Sequence, residues 1–246
     1  MNRLKGKVIA VTGGSGLIGK EIISDIEKEG GIALNLDINL KTDSDLRNFK
    51  CDVTSLDSIE DNINIIYNNY KKIDGWVNNA YPRTKDWGNK FEDISQESWK
   101  KNIDLQLNSV FKCCQTVLKI MSKQQNGCIV NISSIYGSLA PDFSVYDGTE
   151  MTMPAAYSVI KSGVNNFTKY LASYYGSRGI RVNSVSPGGV FDNQNKTFVE
   201  NYTKKVPLGK MATPKDIAPS VSFLLSDDAK YITGHNLVID GGWSII

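Results

Sequence analysis

The feature that most constrains the fold of this chain is a strand–helix alternation running from end to end. Strand-like apolar runs occupy Val8–Thr12, Ile32–Asp37, Gly75–Asn79, Cys128–Ser133, Arg181–Ser186 and Asn236–Asp240, with a weaker one near Phe49–Val53. Helix-compatible stretches fall between them at Gly16–Lys28, Ser58–Tyr70, Gln96–Ser122, Ala155–Tyr175 and Pro214–Leu225. Several strands are continuously apolar rather than alternating, the pattern of a parallel sheet covered on both faces. The rhythm predicts a doubly wound α/β domain. No Pro/Ser-rich linker, repeat or low-complexity block interrupts it, so residues 1–246 are expected to form a single domain with one core.

Composition removes several functions. Lys+Arg number 28 against 26 Asp+Glu, a balance that offers no footprint for nucleic acid or for an anionic membrane. No apolar run approaches the roughly 20 residues of a membrane span. The chain starts Met-Asn-Arg-Leu-Lys and moves straight into a strand, which predicts a cytoplasmic protein without a signal peptide. His235 is the only histidine, so a two-His metal site within one chain is excluded. A Ser-His-Asp triad would depend on that one residue, in a Gly-His-Asn turn. Cys51, Cys113, Cys114 and Cys128 show no C-x-x-C spacing, and three of them lie in buried-looking runs. Neither a disulfide nor a metal is expected.

Two motifs carry chemistry in the first half. Gly14-Ser15-Gly16-Leu17-Ile18-Gly19 follows the first strand and opens the first helix. Glycines there let the backbone turn tightly against a pyrophosphate, to which the helix amides donate. Asp37 closes the second strand, eighteen residues past Gly19. A carboxylate at that place accepts ribose hydroxyls and repels a 2′-phosphate. No Arg or Lys lies in the glycine loop or directly after Asp37, so NAD is favoured over NADP.

In the second half, Tyr157 and Lys161 are one helical turn apart and share a face. A phenol of pKa about 10 becomes a useful base only beside a cation. Upstream, a strand ends at Ser133-Ser134-Ile135-Tyr136-Gly137, bringing a hydroxyl toward the same rim of the sheet.

In this order the motifs resemble the short-chain dehydrogenase/reductase family over almost the whole chain. The likeness rests on Thr12 through Gly19, Cys51-Asp52-Val53-Thr54, Asn78-Asn79-Ala80, Ser134-x-x-Gly137 and Tyr157-x-x-x-Lys161. It continues through Arg181 to Gly188 and from Ile232-Thr233-Gly234 into Asp240-Gly241-Gly242. The resemblance implies a Rossmann-type domain, usually a homotetramer or homodimer. Such a domain moves a hydride between nicotinamide and a carbinol or carbonyl carbon of a small-molecule substrate.

By the same resemblance Tyr157 is the general acid/base. Lys161 holds the nicotinamide ribose and lowers the tyrosine's pKa, and Ser134 hydrogen-bonds the substrate oxygen. Gly13, Ser15, Gly16, Leu17, Ile18 and Gly19 form the phosphate loop. Asp52 and Val53 meet the adenine. Asn79 and Ala80 pass under the riboses, and Pro187, Gly188 and Val190 approach the carboxamide. Three positions depart from the family pattern. Leu17 and Tyr81 stand where glycines are usual, and Gln106 occupies the place of a catalytic asparagine, with Asn108 two positions away.

A looser resemblance links Ala80-Tyr81-Pro82-Arg83, Ala140 to Tyr146 and Pro187 to Gln194 to a branch associated with flagellin and surface-glycan modification. It implies a sugar-derived substrate. The stretch between Ser134 and Tyr157 spans 23 positions with both ends at the active site. It is read either as a solvated flap or as a substrate wall using Asp142, Tyr146 and Asp147. Two other functions remain open: a sugar epimerase or dehydratase that retains its NAD, and a nucleotide-binding regulatory module without turnover.

Overall fold

The computed structural model describes every residue except Met1, Ser44 and Leu46. Seven strands lie in one parallel sheet: β1 (Val8–Thr12), β2 (Ile32–Asp37), β3 (Asn48–Lys50), β4 (Gly75–Asn78), β5 (Gly127–Ile132), β6 (Ile180–Pro187) and β7 (Asn236–Ile239). Their order is β3-β2-β1-β4-β5-β6-β7, so the winding reverses beside β1. The central strands β1, β4 and β5 are buried along their whole length, as their unbroken apolar runs require.

Each face carries its own core. Trp76, Phe49, Ile63 and Val117 pack on one side, under α2 (Leu56–Tyr70) and α4 (Ser109–Gln124). Ile22, Ile26, Val77, Val130 and Leu224 pack on the other, under α1 (Leu17–Lys28) and α7 (Pro214–Leu225). Ser55 caps α2, and Thr213 with Asp216 closes a capping box at α7. These caps fix where two helices leave the sheet.

The expected architecture is present, with three refinements. The weak strand shortens to Asn48–Lys50. The long helix-compatible run from Gln96 divides into α3 (Gln96–Ile103), a π-helical turn at Asp104–Asn108, and α4. A short helix that periodicity had not marked, α6 (Lys196–Thr203), follows β6. Its Phe198 and Tyr202 join Tyr136, Tyr146 and Trp243 in a third, aromatic cluster above the sheet's carboxyl edge. No helix among the described residues is long and apolar enough to cross a membrane, and no group of three or more His, Cys, Asp or Glu there is placed to hold a metal ion. All four cysteines are free and buried.

Candidate active site

A cavity of about 750 Å³ lies along the carboxyl ends of the strands. Open parallel sheets form such a crevice where strand order reverses. One end is built from Gly13, Gly16, Leu17, Ile18, Asp37, Asp52 and Val53. Gly13 has φ +62°, and a Cβ there would lie 2.8 Å from the Ala80 Cα. A Cβ on Gly19 would come within 2.2 Å of the Gly13 carbonyl oxygen. Gly19 therefore does not line the cavity; it permits α1 to pack against the loop. Leu17, the first residue of α1, has no positive φ that would demand glycine, and it presents its side chain to the cavity.

Asp37 is buried and faces the same end. Its Oδ2 accepts from the Ser15 backbone N–H at 3.2 Å and its Oδ1 from that of Asn39 at 3.0 Å. Ser15 thus lies behind the cavity wall and positions Asp37. Asn79 donates from Nδ2 to the carbonyls of Thr12 and Gly13 at 3.1 and 2.9 Å, tying β4 to the glycine loop. The side chain of Asp52 is turned back on Thr54, which donates to Oδ1 from its N–H and its hydroxyl. A glycine cradle at a helix N-terminus with a carboxylate after β2 fits the two riboses and pyrophosphate of a dinucleotide.

The other end gathers Ser134, Tyr157 and Lys161. Tyr157 and Lys161 sit in the first two turns of α5 (Ala155–Tyr175), which is held to the sheet by polar stitches. Asn131 on β5 donates to the Thr168 hydroxyl at 2.8 Å, and the Ser133 hydroxyl donates to the Lys161 carbonyl at 3.1 Å. A Cβ on Gly137 would press within 2.8 Å of the Lys161 backbone, so the glycine three places after Ser134 allows this close approach. Ser133 is consumed by that stitch. Ser134 instead faces the cavity, accepting from the Tyr136 N–H at 3.2 Å. Lys161 Nζ donates to the Ile132 carbonyl at 2.8 Å and stands 5.6 Å from the Tyr157 ring centroid. Burial pushes the Tyr157 phenol up, against the pull of a hydrogen bond from Ser134. Burial also draws the Lys161 ammonium down to about 8. Burial thus presses each group toward its neutral form.

Around this centre Tyr81, Trp87 and Tyr157 form three mutually edge-on ring pairs, 5.7 to 6.3 Å between centroids. Tyr136, Tyr146, Met153, Phe198, Tyr202 and Met211 close the apolar side. Pro187, Gly188, Val190, Asn79 and Ala80 also line the cavity.

The stretch after Ser134 departs from expectation in part. Tyr146 is buried in the wall, stacked 5.3 Å from Phe198, and burial pushes its phenol up to about 12. Asp142 and Asp147 are not in the wall. Asp142 pairs with Lys205 and caps the turn at Ser144, which together hold its carboxyl down at about 2. Asp147 is exposed, and its carbonyl accepts from Asn201 at 3.0 Å. The Asp142 carboxylate and the Asp147 backbone carbonyl fasten the loop to the residues after α6 and to α6 itself, an element that periodicity did not mark. The wall instead uses Met151, Thr152 and Met153.

Gln106 lies in the π-helical turn, buried, and outside the cavity lining. Neither its Oε1 nor its Nε2 has a hydrogen-bond partner in the protein. Asn108 is spent at the surface, donating to Asp104 at 2.9 Å. Such turns recur at functional sites, and a buried amide left unpaired costs about 1–3 kcal/mol. If Gln106 serves proton movement, Gln106→Ala is expected to lower kcat severalfold and Gln106→Asn less. Identical pH–rate profiles in both variants and the unmodified enzyme would exclude it.

Arg83 and Gln194, in stretches that resemble the glycan-modification branch's substrate side, line the cavity, and so do Phe198, Tyr202 and Met211, to which the sequence assigned no role. The i, i+4 spacing of Phe198 and Tyr202 was the available signal.

Fold and site together define a dinucleotide-binding α/β protein with an acid–base group at the cofactor's reactive end. A family profile described as Enoyl-(Acyl carrier protein) reductase matches residues 21–244. Over 98% of its length the chain is 38% identical to the Post-translational flagellin modification protein A of Campylobacter coli, which is covered completely. It is 34% identical to the 7alpha-hydroxysteroid dehydrogenase of Bacteroides fragilis, covering all of this chain and 97% of that one. The crystal structure of a short chain dehydrogenase from Leptospira borgpetersenii with bound NAD+ superposes with a TM-score of 0.89 at 34% identity, covering 98% of this chain and 94% of that one. The chain belongs to the short-chain dehydrogenase/reductase family and is an NAD(P)-dependent oxidoreductase.

Proposed function

We propose that this enzyme is an NAD-dependent dehydrogenase/reductase acting on a carbinol or carbonyl carbon of a small polar, sugar-derived substrate. The observation that carries the reading is the convergence of Ser134, Tyr157 and Lys161 at one end of a cavity whose other end is the Gly13–Gly19 cradle and Asp37. Nicotinamide, when bound, supplies the hydride acceptor or donor. In oxidation the Tyr157 phenolate takes the substrate hydroxyl proton, and in reduction the phenol returns it. Lys161 favours the ionised phenol, and Ser134 holds the substrate oxygen and the Tyr157 hydroxyl in line. The aromatic wall excludes water and leaves the faces of Tyr146 and Phe198 for the carbon skeleton.

The sugar reading is supported by the similarity to the flagellin modification protein of Campylobacter coli. We place the enzyme in the cytoplasm, as one domain over residues 1–246, working as a homo-oligomer. A screen of sugars, sugar phosphates, nucleotide sugars and simple alcohols for NADH formation tests the substrate class. Turnover confined to simple alcohols would refute it. NAD that stays bound through purification with no net NADH release would instead indicate an epimerase or dehydratase.

Cofactor choice rests on Asp37. Its carboxylate is buried against the ribose end of the cavity, where a 2′-phosphate would be repelled. NAD is expected to bind well and NADP poorly, with Asp37→Ser narrowing the difference. Equal or better use of NADP by the unmodified protein would overturn the assignment.

A further inference from the structure

We propose that Arg83 is the anchor for an anionic group on the substrate, so that the enzyme takes a phosphorylated or carboxylated polyol rather than a neutral one. The proposal deepens the functional reading above and rests on it.

Arg83 lines the cavity together with Tyr81 and Tyr157. Its guanidinium carbon sits 5.4 Å from the centroid of the Tyr81 ring, and that ring lies 5.8 Å from the ring of Tyr157. Tyr81 is held from the other side by Trp87 at 5.7 Å. The cation is thus positioned by Tyr81, whose ring in turn contacts that of the acid–base Tyr157. The guanidinium also hydrogen-bonds the Tyr81 hydroxyl, which fixes its place, and its remaining N–H groups can meet a planar or tetrahedral anion.

The charges facing it leave that role open. The chain's other arginines are occupied elsewhere. Arg3 pairs with Glu29, Arg47 with Glu27, and Arg181 donates to the carbonyls of Ser226 and Ile232. Arg178 stacks on Tyr174 and Tyr175, away from the cavity. Among the described residues no carboxylate stands within ion-pair distance of Arg83. Of the acids lining the cavity, Asp37 accepts from the Ser15 and Asn39 N–H groups and Asp52 from Thr54, and neither these nor Asp192 pairs with Arg83. Lys161, the other lining cation, is directed to the Ile132 carbonyl beside Tyr157. An anion entering beyond Tyr157 therefore meets one available guanidinium, and the neighbouring aromatic wall takes the carbon skeleton.

The test uses the full-length enzyme saturated with NAD and calorimetric titration of three matched probes: glucose 6-phosphate, glucuronate and glucose. A charge-assisted bidentate contact predicts tighter binding of an anionic probe than of glucose by about ten- to hundredfold. Phosphate over glucuronate would identify a phosphoryl group, and the reverse a carboxylate. In Arg83→Gln the preference is expected to vanish while NAD affinity and the affinity for glucose stay unchanged. Arg83→Lys is expected to restore part of it, because a point charge remains without the fork. No preference for either anion in the unmodified enzyme, including no detectable binding of any probe, would overturn the proposal, as would a preference that survives Arg83→Gln. Binding is read without turnover. A protein that prefers anions but transfers no hydride would refute the functional reading and leave the anchor standing.

Discussion

Tyr157→Phe is expected to lower kcat by about 10²–10⁴-fold, the usual contribution of a positioned general acid–base group. The substitution keeps the ring and its edge-on contacts with Tyr81 and Trp87, so thermal stability and NAD affinity should remain near those of the unmodified enzyme. The pH profile adds a second readout. Burial raises the phenol and draws the Lys161 ammonium down to about 8. Oxidation needs the ionised phenol, and its rate should therefore rise with pH. That rising limb is expected to disappear in the Phe variant. Stopped-flow measurement of NADH formation across pH checks both points, and a near-normal rate would remove Tyr157 from the mechanism.

Gly19→Ala is expected to damage the fold itself. The new Cβ would meet the Gly13 carbonyl oxygen at 2.2 Å and the Gly14 Cα at 2.7 Å. Both neighbours are backbone atoms and cannot swing aside, so α1 or the cradle must move. Overpacking of this kind costs about 1–3 kcal/mol, which in a chain of this size corresponds to a fall in Tm of about 2–12 °C. The displaced cradle should also weaken NAD binding. Gly176→Ala provides the control, because a Cβ there meets nothing within 4 Å and its φ is −56°. Scanning calorimetry of the two variants separates a general glycine effect from the close approach at Gly19. Equal melting of both would refute the packing argument.

Much of the architecture could be read from the chain because it follows from burial. Strands covered on both faces are mostly apolar, as Val8–Thr12 and Gly75–Asn78 are except for the hydrogen-bonded Thr12 and Asn78 at their carboxyl ends. The glycine loop and Asp37 were legible for a similar reason: close approach and charge restrict residue type locally. The Tyr157–Lys161 spacing also needed only one helical turn.

The substrate side was not legible to the same degree. The sequence placed Asp142 and Asp147 in the loop after Ser134, and from the loop alone they were natural hydrogen-bond acceptors. Which way an acid points depends on what arrives from elsewhere in the chain. Here α6 and the residues just after it bring Lys205 to the Asp142 carboxylate and Asn201 to the backbone carbonyl of Asp147, so Asp142 fastens the loop and the Asp147 side chain stays exposed.

Arg83 shows the converse. In sequence it belongs to the Ala80-Tyr81-Pro82-Arg83 stretch that resembles the glycan-modification branch's substrate side, but its charge has no assigned role there. The sheet's crossover order carries its loop to Tyr157, and the Tyr81 ring then fixes where its charge stands. Residue type and periodicity thus determined the sheet, the cofactor cradle and the acid–base pair, each written in contiguous residues. Tertiary packing decided the substrate wall, because its partners are tens of positions apart and meet only once the strands' carboxyl ends form one rim.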